Sequence, residues 1–117
     1  MTNRLLCAVL ALLALTACAS DPAPLEQMRL TEQAVAQARA VGADEQVPEL
    51  LLAEDKLNRA QAAMDEEAFK QARVLAEQAE LDARLAEARV VTAKSQAQLA
   101  ELSNRINRLR RQLGDLQ

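Results

Sequence analysis

The sequence predicts an all-α fold: an elongated antiparallel bundle of three helices, the last of which is long and ends in a coiled-coil-like tail. Alanine and leucine dominate the hydrophobic half of its 117 residues, and 26% of the residues are charged, a composition typical of long helices and coiled coils. There is one aromatic residue, and no run of alternating β-branched side chains indicates a strand. The two glycines and three prolines divide the chain into helical lengths.

The first two helices follow from this punctuation. Helix one is predicted from Leu25 to Val41, because Gly42 suits the position just after a helix C-terminus. Pro48 suits the first turn of helix two, where its missing N–H costs no hydrogen bond. The apolar stripe of helix two steps by three and four residues and consists of Leu50, Ala53, Leu57, Ala60 and Met64.

The boundary between helices two and three is expected at residues 65–67, which include neither glycine nor proline. We predict a tight turn in which Asp65 is the N-cap of helix three and the two following glutamates face the positive end of that helix. One uninterrupted helix from Pro48 onward is the alternative. Residues 68–113 contain no helix breaker, which gives ~70 Å of helix.

Two apolar seams run along helix three, both with alternating steps of three and four residues. Alanine dominates the first, and its small side chain allows a partner backbone to approach closely. This helix-packing seam consists of Ala72, Ala76, Ala79, Ala83, Ala86, Val90 and Ala93, and the same alanine repeat continues through Ala97 and Ala100. Three leucines are expected to widen it: Leu75, Leu81 and Leu85. The second, the association seam, has large side chains of the a and d kind: Leu99, Leu102, Ile106, Leu109, Leu113 and Leu116.

Helices one and two are too short to cover all of helix three. Each spans about 25 Å, so the bundle covers helix three only to about Val90. Ala93, Ala97 and the whole association seam then project beyond the bundle, where the leucines are exposed to water. We therefore expect self-association, or docking on another protein, through residues 99–117. A frayed amphipathic tail without a fixed partner is the alternative.

Charge is distributed unevenly along the chain. Residues 101–117 carry four arginines against two acidic residues, whereas the whole chain has a net charge of −3. Arginine suits phosphate and carboxylate groups, which makes these four candidate contacts to anionic lipid headgroups, lipopolysaccharide or cell-wall carboxylates. They are Arg105, Arg108, Arg110 and Arg111. The alternative is that they flank the association seam as coiled-coil charges. Four i,i+4 ion pairs are expected on exposed faces: Asp55–Arg59, Glu66–Lys70, Glu80–Arg84 and Glu101–Arg105.

The N-terminal segment is typical of a signal peptide. Arg4 supplies a positive charge, and the apolar run 5–15 makes only ~16 Å of helix, about half of what a bilayer core requires. Leu15, Thr16, Ala17 and Cys18 together resemble the lipobox of bacterial lipoprotein precursors. The resemblance implies cleavage before Cys18, with diacylglycerol on its sulfur and an acyl chain on its new amine. An ordinary secretory signal cut after Ala19 is the alternative.

Four segments result: a lipoprotein signal peptide at 1–17, a lipidated tether at 18–24, a helical domain at 25–98 and an amphipathic coiled-coil tail at 99–117. Pro22 and Pro24 keep the tether out of regular helix. Ala19, where an aspartate would favour retention in the inner membrane, favours the outer membrane, facing the periplasm. The membrane is thus the first expected partner, through the lipid anchor, and an envelope location argues against nucleic acid.

The residue types present argue against catalysis. The chain has no histidine, tyrosine or tryptophan, Cys7 leaves with the signal peptide, and no glycine-rich loop is available to bind phosphates. Asp65, Glu66 and Glu67 lack the loop spacing of a calcium site, so no metal is expected. No cofactor is expected apart from the covalent lipid on Cys18.

Part of the helical region resembles a family of small bacterial envelope lipoproteins. The resemblance lies in the stretch LLAEDKLNRA at residues 51–60 and in a spaced pattern over residues 69–86. That pattern consists of Phe69, Ala72, Leu75, Ala76, Gln78, Ala79, Asp82, Ala83, Leu85 and Ala86. The helical domain of this family has no known function and often precedes an OmpA-like peptidoglycan-binding domain. Since the chain ends at Gln117, we expect no OmpA-like domain and carry over no peptidoglycan binding.

The chain is also similar in outline to the short murein lipoproteins, in which a terminal lysine is joined to the wall. Its last lysine is Lys94, so no covalent peptidoglycan link is expected. These observations predict a non-catalytic, lipid-anchored helical envelope protein with a structural or scaffolding role, associating through its C-terminal leucine seam. The alternative is an accessory lipoprotein that docks on a specific envelope complex for secretion, transport or cell-wall remodelling.

Overall fold

Three helices make up the described part of the chain. The computed structural model describes residues 21–115, with α1 at Leu25–Ala40, α2 at Pro48–Asp65 and α3 at Phe69–Gly114. No strand occurs among these residues. The predicted all-α fold with a long last helix is confirmed. The predicted signal peptide, the lipobox with Cys18, and Leu116 lie outside the described residues.

α1 runs parallel to α3 along one side of it. Gln27, near the start of α1, donates a hydrogen bond from Nε2 to Oε2 of Glu80 at 2.7 Å. Gln37, near the end of α1, donates to Oε1 of Glu87 at 3.3 Å. Later residues of α1 therefore meet later residues of α3.

α2 runs antiparallel to α3 along another side. Lys56 donates from Nζ to Oδ2 of Asp82 at 2.6 Å, and Nη2 of Arg89 lies 2.9 Å from Oε1 of Glu49. Helices that follow one another in the chain are thus antiparallel, as predicted. The predicted stripe of α2 faces the core: Leu50, Ala53 and Ala60 are buried, and Leu57 and Met64 are half-buried.

Alanine forms much of the surface through which α3 contacts the other helices. Five members of the helix-packing seam are fully buried: Ala72, Ala76, Ala79, Ala83 and Ala86. Because alanine ends at Cβ, the Thr31 side chain of α1 reaches the α3 backbone, and its hydroxyl oxygen lies 2.9 Å from the Ala76 carbonyl oxygen. The same hydroxyl lies 2.9 Å from the Gln27 carbonyl oxygen in α1. This fully buried polar group therefore has an acceptor in each helix.

The other helices cover the helix-packing seam only as far as Val90, as the helix lengths predict. Val90 is half-buried, but Ala93 is exposed. The physical reason is the position of the turn after α1, which lies beside this part of α3: Lys94 donates from Nζ to the Val41 carbonyl oxygen at 2.6 Å. Beyond that turn no helix remains to cover α3.

Two of the three leucines expected to widen the seam do not do so. Leu75 is buried, but Leu81 and Leu85 are 67% and 47% exposed. They lie on the side of α3 that faces away from α1 and α2. The prediction for these two residues is therefore wrong.

The turn after α1 closes through its glycine. Gly42 adopts a φ of 100°, in the left-handed region that favours glycine. Its N–H donates to the Arg39 carbonyl at 2.9 Å, and the Ala43 N–H donates to the Ala38 carbonyl at 2.9 Å. This pair of bonds is a Schellman motif, which confirms the predicted role of Gly42.

The turn between α2 and α3 uses the same motif without a glycine. Glu67 has a φ of 57°, its N–H donates to the Met64 carbonyl at 3.0 Å, and the Ala68 N–H donates to the Ala63 carbonyl at 2.8 Å. The predicted turn is confirmed against one uninterrupted helix. The predicted N-cap is wrong, because the motif extends α2 through Asp65 and reverses the chain at Glu67. Ala68 is the N-cap of α3, without a side-chain hydrogen bond.

The left-handed backbone at Glu67 predicts that glycine is the more stable residue there. A side chain in this conformation costs about 1 kcal/mol or more. Glu67→Gly should therefore raise the free energy of unfolding by about 1 kcal/mol in urea denaturation of the chain from residue 18 with Cys18→Ser. Glu67→Ala is the control, since it removes the carboxylate but keeps Cβ. If both substitutions raise the free energy of unfolding equally, the cost comes from the carboxylate and not from the left-handed backbone.

The alanine seam predicts that the effect of a larger side chain depends on position. Ala79→Leu should lower the free energy of unfolding by about 1–3 kcal/mol, because this fully buried site has no space for more methylenes. Ala97 belongs to the same repeat but is exposed, so Ala97→Leu should change the free energy of unfolding by less than about 0.5 kcal/mol. If both substitutions lower the free energy of unfolding by similar amounts in chemical denaturation, the packing of the seam against α1 and α2 does not end near Val90.

Candidate association surface

α3 continues beyond the bundle as an uncovered helix. Every residue from Val91 to Asp115 is exposed. This projecting segment, residues 91–115, extends ~36 Å past the part of α3 that α1 and α2 cover. The prediction that helix three leaves the bundle near Val90 is confirmed.

The association seam lies on the projecting segment. The exposed fractions of its described side chains run from 41% for Ile106 to 66% for Leu99 and Leu113, with Leu102 and Leu109 between these values. A row of large exposed apolar side chains is typical of an interaction surface.

The two seams of α3 face opposite directions. Leu99 and Leu102 follow Ala97 and Ala100 of the alanine repeat by two positions each, which is ~200° of rotation in a helix with 3.6 residues per turn. The association seam is therefore not a continuation of the helix-packing seam. It points away from the side of α3 on which α1 and α2 lie.

The repeat of the association seam also continues toward the start of α3. Steps of four and three residues back from Leu99 reach Ser95, Thr92, Ala88, Leu85, Leu81, Gln78 and Val74, all of which are exposed. We call this surface, from Val74 to Leu113, the outer face. Its large apolar side chains form a proximal cluster, which is Val74, Leu81 and Leu85. They also form a distal cluster, which is Leu99, Leu102, Ile106, Leu109 and Leu113.

The proximal cluster is not evident from the sequence alone. The unbroken alternation of three and four residues is the available signal, but Ala88, Thr92 and Ser95 interrupt its apolar character. Leu81 and Leu85 also flank the alanine seam in sequence. Spacing alone does not tell which side of α3 the other helices cover. Leu81 and Leu85 therefore fit the alanine seam and the outer face equally well until the positions of α1 and α2 are known.

Charged residues flank the outer face at both of its ends, and Arg84, one of those at the proximal end, is already paired with Glu80. Glu77 and Asp82 lie next to the proximal cluster, and Arg105 and Arg110 lie next to the distal cluster. Arg105 forms an ion pair with Glu101. Arg110 forms no ion pair with any residue in the range 21–115.

The other two candidate anion contacts, Arg108 and Arg111, are exposed on the same segment. Arg111 donates from Nε to the Asn107 carbonyl oxygen at 3.4 Å. Neither side chain has a carboxylate within 4 Å among the residues that the structure describes. The four arginines thus extend along the projecting segment, partly beside the distal cluster and partly away from it.

Three of the four predicted i,i+4 ion pairs form. They are Asp55–Arg59 at 3.5 Å, Glu80–Arg84 at 2.6 Å and Glu101–Arg105. The fourth, between Glu66 and Lys70, does not, because Glu66 lies in the turn before α3 and not on the helix.

Hydrogen bonds from Gln27 and Arg84 hold the pKa of Glu80 below its ordinary value. The folded chain therefore favours the charged carboxylate. Its contribution to stability is present above the ordinary pKa of a glutamate and is lost as the pH falls through the lowered pKa. This carboxylate links α1 to α3 and does not belong to the outer face.

Within residues 21–115, no three histidine, cysteine, aspartate or glutamate side chains are grouped closely enough to hold a metal ion. No helix in that range combines the length and the apolar character needed to cross a bilayer.

Comparison with known proteins identifies the family. Residues 26–102 match DUF4398, a domain of unknown function, which covers α1, α2 and α3 as far as Leu102. No curated protein matches the chain significantly. Among solved structures, the chain is similar to a DUF4398 family protein from Pseudomonas aeruginosa PAO1, whose crystal structure was determined at 2.47 Å resolution. The two are 64% identical with a TM-score of 0.80 over 82% of this chain and 100% of the other. The chain therefore belongs to the DUF4398 family.

Proposed function

We propose that this protein is a non-catalytic, lipid-anchored helical protein of the bacterial envelope, with a structural or scaffolding role, which associates through its distal cluster. One observation carries the proposal. The projecting segment exposes large apolar side chains on ~36 Å of helix that contributes nothing to the core of the bundle. Such a surface is explained by contact with another molecule.

The tether and the distal cluster lie at opposite ends of the helical rod. Near the start of α3, Arg73 donates from Nη2 to the Pro22 carbonyl oxygen at 3.5 Å. A lipid on Cys18, three residues before Asp21, would lie within ~11 Å of this end. The distal cluster begins ~45 Å along α3 from Phe69. An anchored chain therefore presents the cluster well clear of its own lipid.

The residue types support a non-catalytic role. Without histidine or tyrosine, acid–base chemistry would depend on carboxylates, lysines and arginines. Several carboxylates on the bundle are already in ion pairs that join helices, such as Asp82 with Lys56 and Glu49 with Arg89. These ion pairs give the carboxylates a structural role, because each pair joins two helices.

A second candidate is an accessory lipoprotein that docks on one envelope complex. The observation in its favour is that Arg108 and Arg110 are exposed without a carboxylate partner in the described range, and so remain available to an acidic surface. Both candidates use the same segment of α3, and they differ in the identity of the partner.

Replacement of the lipidated cysteine tests the anchor. Cys18→Ser should move the protein from the membrane fraction to the soluble fraction and abolish incorporation of a labelled fatty acid, because no other thiol precedes the helices in the processed chain. Cys7→Ser lies in the expected signal peptide and should leave both properties unchanged. A Cys18→Ser protein that still sediments with membranes and keeps its electrophoretic mobility would rule out the lipid anchor.

Deletion of the tail tests the association. For the chain from residue 18 with Cys18→Ser, the mean mass from light scattering should rise with concentration, and deletion of residues 99–117 should leave a monomer. If the chain stays a strict monomer at high concentration and the deletion changes nothing, self-association is ruled out. Photocrosslinking in cells from position Arg108 then distinguishes the candidates, since the accessory role predicts an adduct with one other envelope protein.

A further inference from the structure

We propose that the distal cluster of one copy packs against the proximal cluster of a second copy, with the two α3 helices parallel and displaced by four heptads. This inference rests on the self-association proposed above and names the surface that receives the tail. Each copy uses one surface as donor and a different one as acceptor, so the contact is head-to-tail and extends into an open assembly.

The two clusters match in their spacing. A displacement of 28 residues places Leu102, Leu109 and Leu113 beside Val74, Leu81 and Leu85 of the second copy. These are equivalent positions in the seven-residue repeat, so the side chains meet in the layers of a parallel coiled coil. All six are at least 45% exposed in the single chain, and the displaced arrangement covers each of them.

The remaining two layers are mixed. Leu99 and Ile106 of the distal cluster meet Gln71 and Gln78 of the second copy. Polar residues within a coiled-coil seam lower its stability but restrict its register. The contact is therefore expected to be weak in solution and to be strengthened when anchoring to a membrane raises the local concentration.

The side of α3 that carries the proximal cluster is open. α1 lies along the side that contains Ala76 and Glu80, and α2 lies along the side that contains Asp82 and Arg89. Val74, Leu81 and Leu85 occupy the third side, which faces solvent. The bundle holds this part of α3 in helical form, so docking of a second helix requires no new helix nucleation here.

Opposite charges flank the two clusters when they meet. In the displaced arrangement, Arg105 faces Asp82 of the second copy, and Arg110 faces Glu77 of the second copy. Glu77 is exposed and forms no ion pair within residues 21–115. Asp82 accepts from Lys56 through Oδ2 at 2.6 Å, which leaves its second oxygen for Arg105.

Other pairings of two copies bring like charges together. Parallel helices without displacement set Arg105 against Arg110 on both sides of the seam, and Glu77 against Asp82. Antiparallel helices with both clusters in full contact set Arg105 against Arg84 twice. Flanking charges select coiled-coil partners and orientation, so these pairings are disfavoured.

A further antiparallel pairing, shifted by one heptad, does set Arg105 against Glu77. It leaves Leu109 opposite Gln71, however, and sets Arg89 against Arg89 of the other copy. Relative to this shifted pairing, the parallel displaced arrangement makes more apolar contact at each junction, with two favourable charge pairs and no unfavourable one.

The displacement has a geometric consequence for anchored copies. Four heptads correspond to ~42 Å along the helix axis. Copies that share one membrane reach this displacement when α3 lies along the membrane surface, with one lipid anchor every ~42 Å. The assembly is then a filament parallel to the membrane.

Reversal of one charge pair tests the register in the chain from residue 18 with Cys18→Ser. Glu77→Arg or Arg110→Glu alone should weaken association roughly fivefold, since each turns an attraction into a repulsion. The double variant, and an equimolar mixture of the two single variants, should regain the original association. Arg111→Glu is the matched control, because this residue lies on the side of α3 opposite the outer face, and it should have no effect.

Disulfide formation between mixed single-cysteine variants tests the contact itself. In the Cys18→Ser chain, Leu81→Cys should cross-link with Leu109→Cys under mild oxidation. Leu81→Cys with Ile106→Cys reports the antiparallel pairing in full contact, and Leu81→Cys with Leu99→Cys reports the shifted one. Leu109→Cys alone reports the undisplaced parallel pair.

The outcomes separate this inference from the proposed function. Cross-linking of positions 81 and 109, with recovery in the double charge reversal, supports the displaced contact. A chain that self-associates through its tail but cross-links through another pair overturns the register and leaves the proposed function standing. If the chain is a monomer and its tail cross-links in cells to a different envelope protein, the distal cluster binds that protein and not a second copy of this chain. A monomer unaffected by tail deletion overturns both.

Discussion

The close contact between the alanine seam of α3 and the other two helices is the constraint on which the rest of the structure depends. Fully buried alanines let Thr31 of α1 reach the carbonyl oxygen of Ala76, so this buried hydroxyl links the two helices directly. This contact commits one side of α3 to the bundle. It thereby fixes which residues of α3 remain in water, and those residues form the outer face.

Much of the fold could be predicted because its signals are local. Gly42 and Pro48 mark the first turn by their backbone preferences, and alanines repeating by three and four mark a packing surface. The second turn lacked such a signal, since Glu67 adopts a left-handed conformation that its side chain disfavours. Asp65, a good N-cap residue, therefore ends α2 where the sequence predicts that it begins the next helix.

The candidate surface could be predicted only in part, because its extent depends on tertiary contacts. The distal leucines are regular enough to be found in the sequence. The exposure of Ala93 follows from the relative lengths of the helices, but the exposure of Leu81 depends on which side of α3 is covered, and spacing does not encode that. Two heptad repeats on opposite sides of one helix explain both results, since one repeat builds the bundle and the other remains available to a partner.

The outer face gives the elongated shape a consistent physical explanation. A helical rod does not need exposed leucines beyond its bundle in order to fold. Nor does it need acidic residues beside the proximal cluster and arginines beside the distal cluster. Small-angle X-ray scattering of the chain from residue 18 with Cys18→Ser, over a wide concentration range, tests this explanation directly. Head-to-tail contact predicts a maximum dimension that grows with concentration in increments of ~42 Å. A maximum dimension that stays at the single-chain value at every concentration would contradict it.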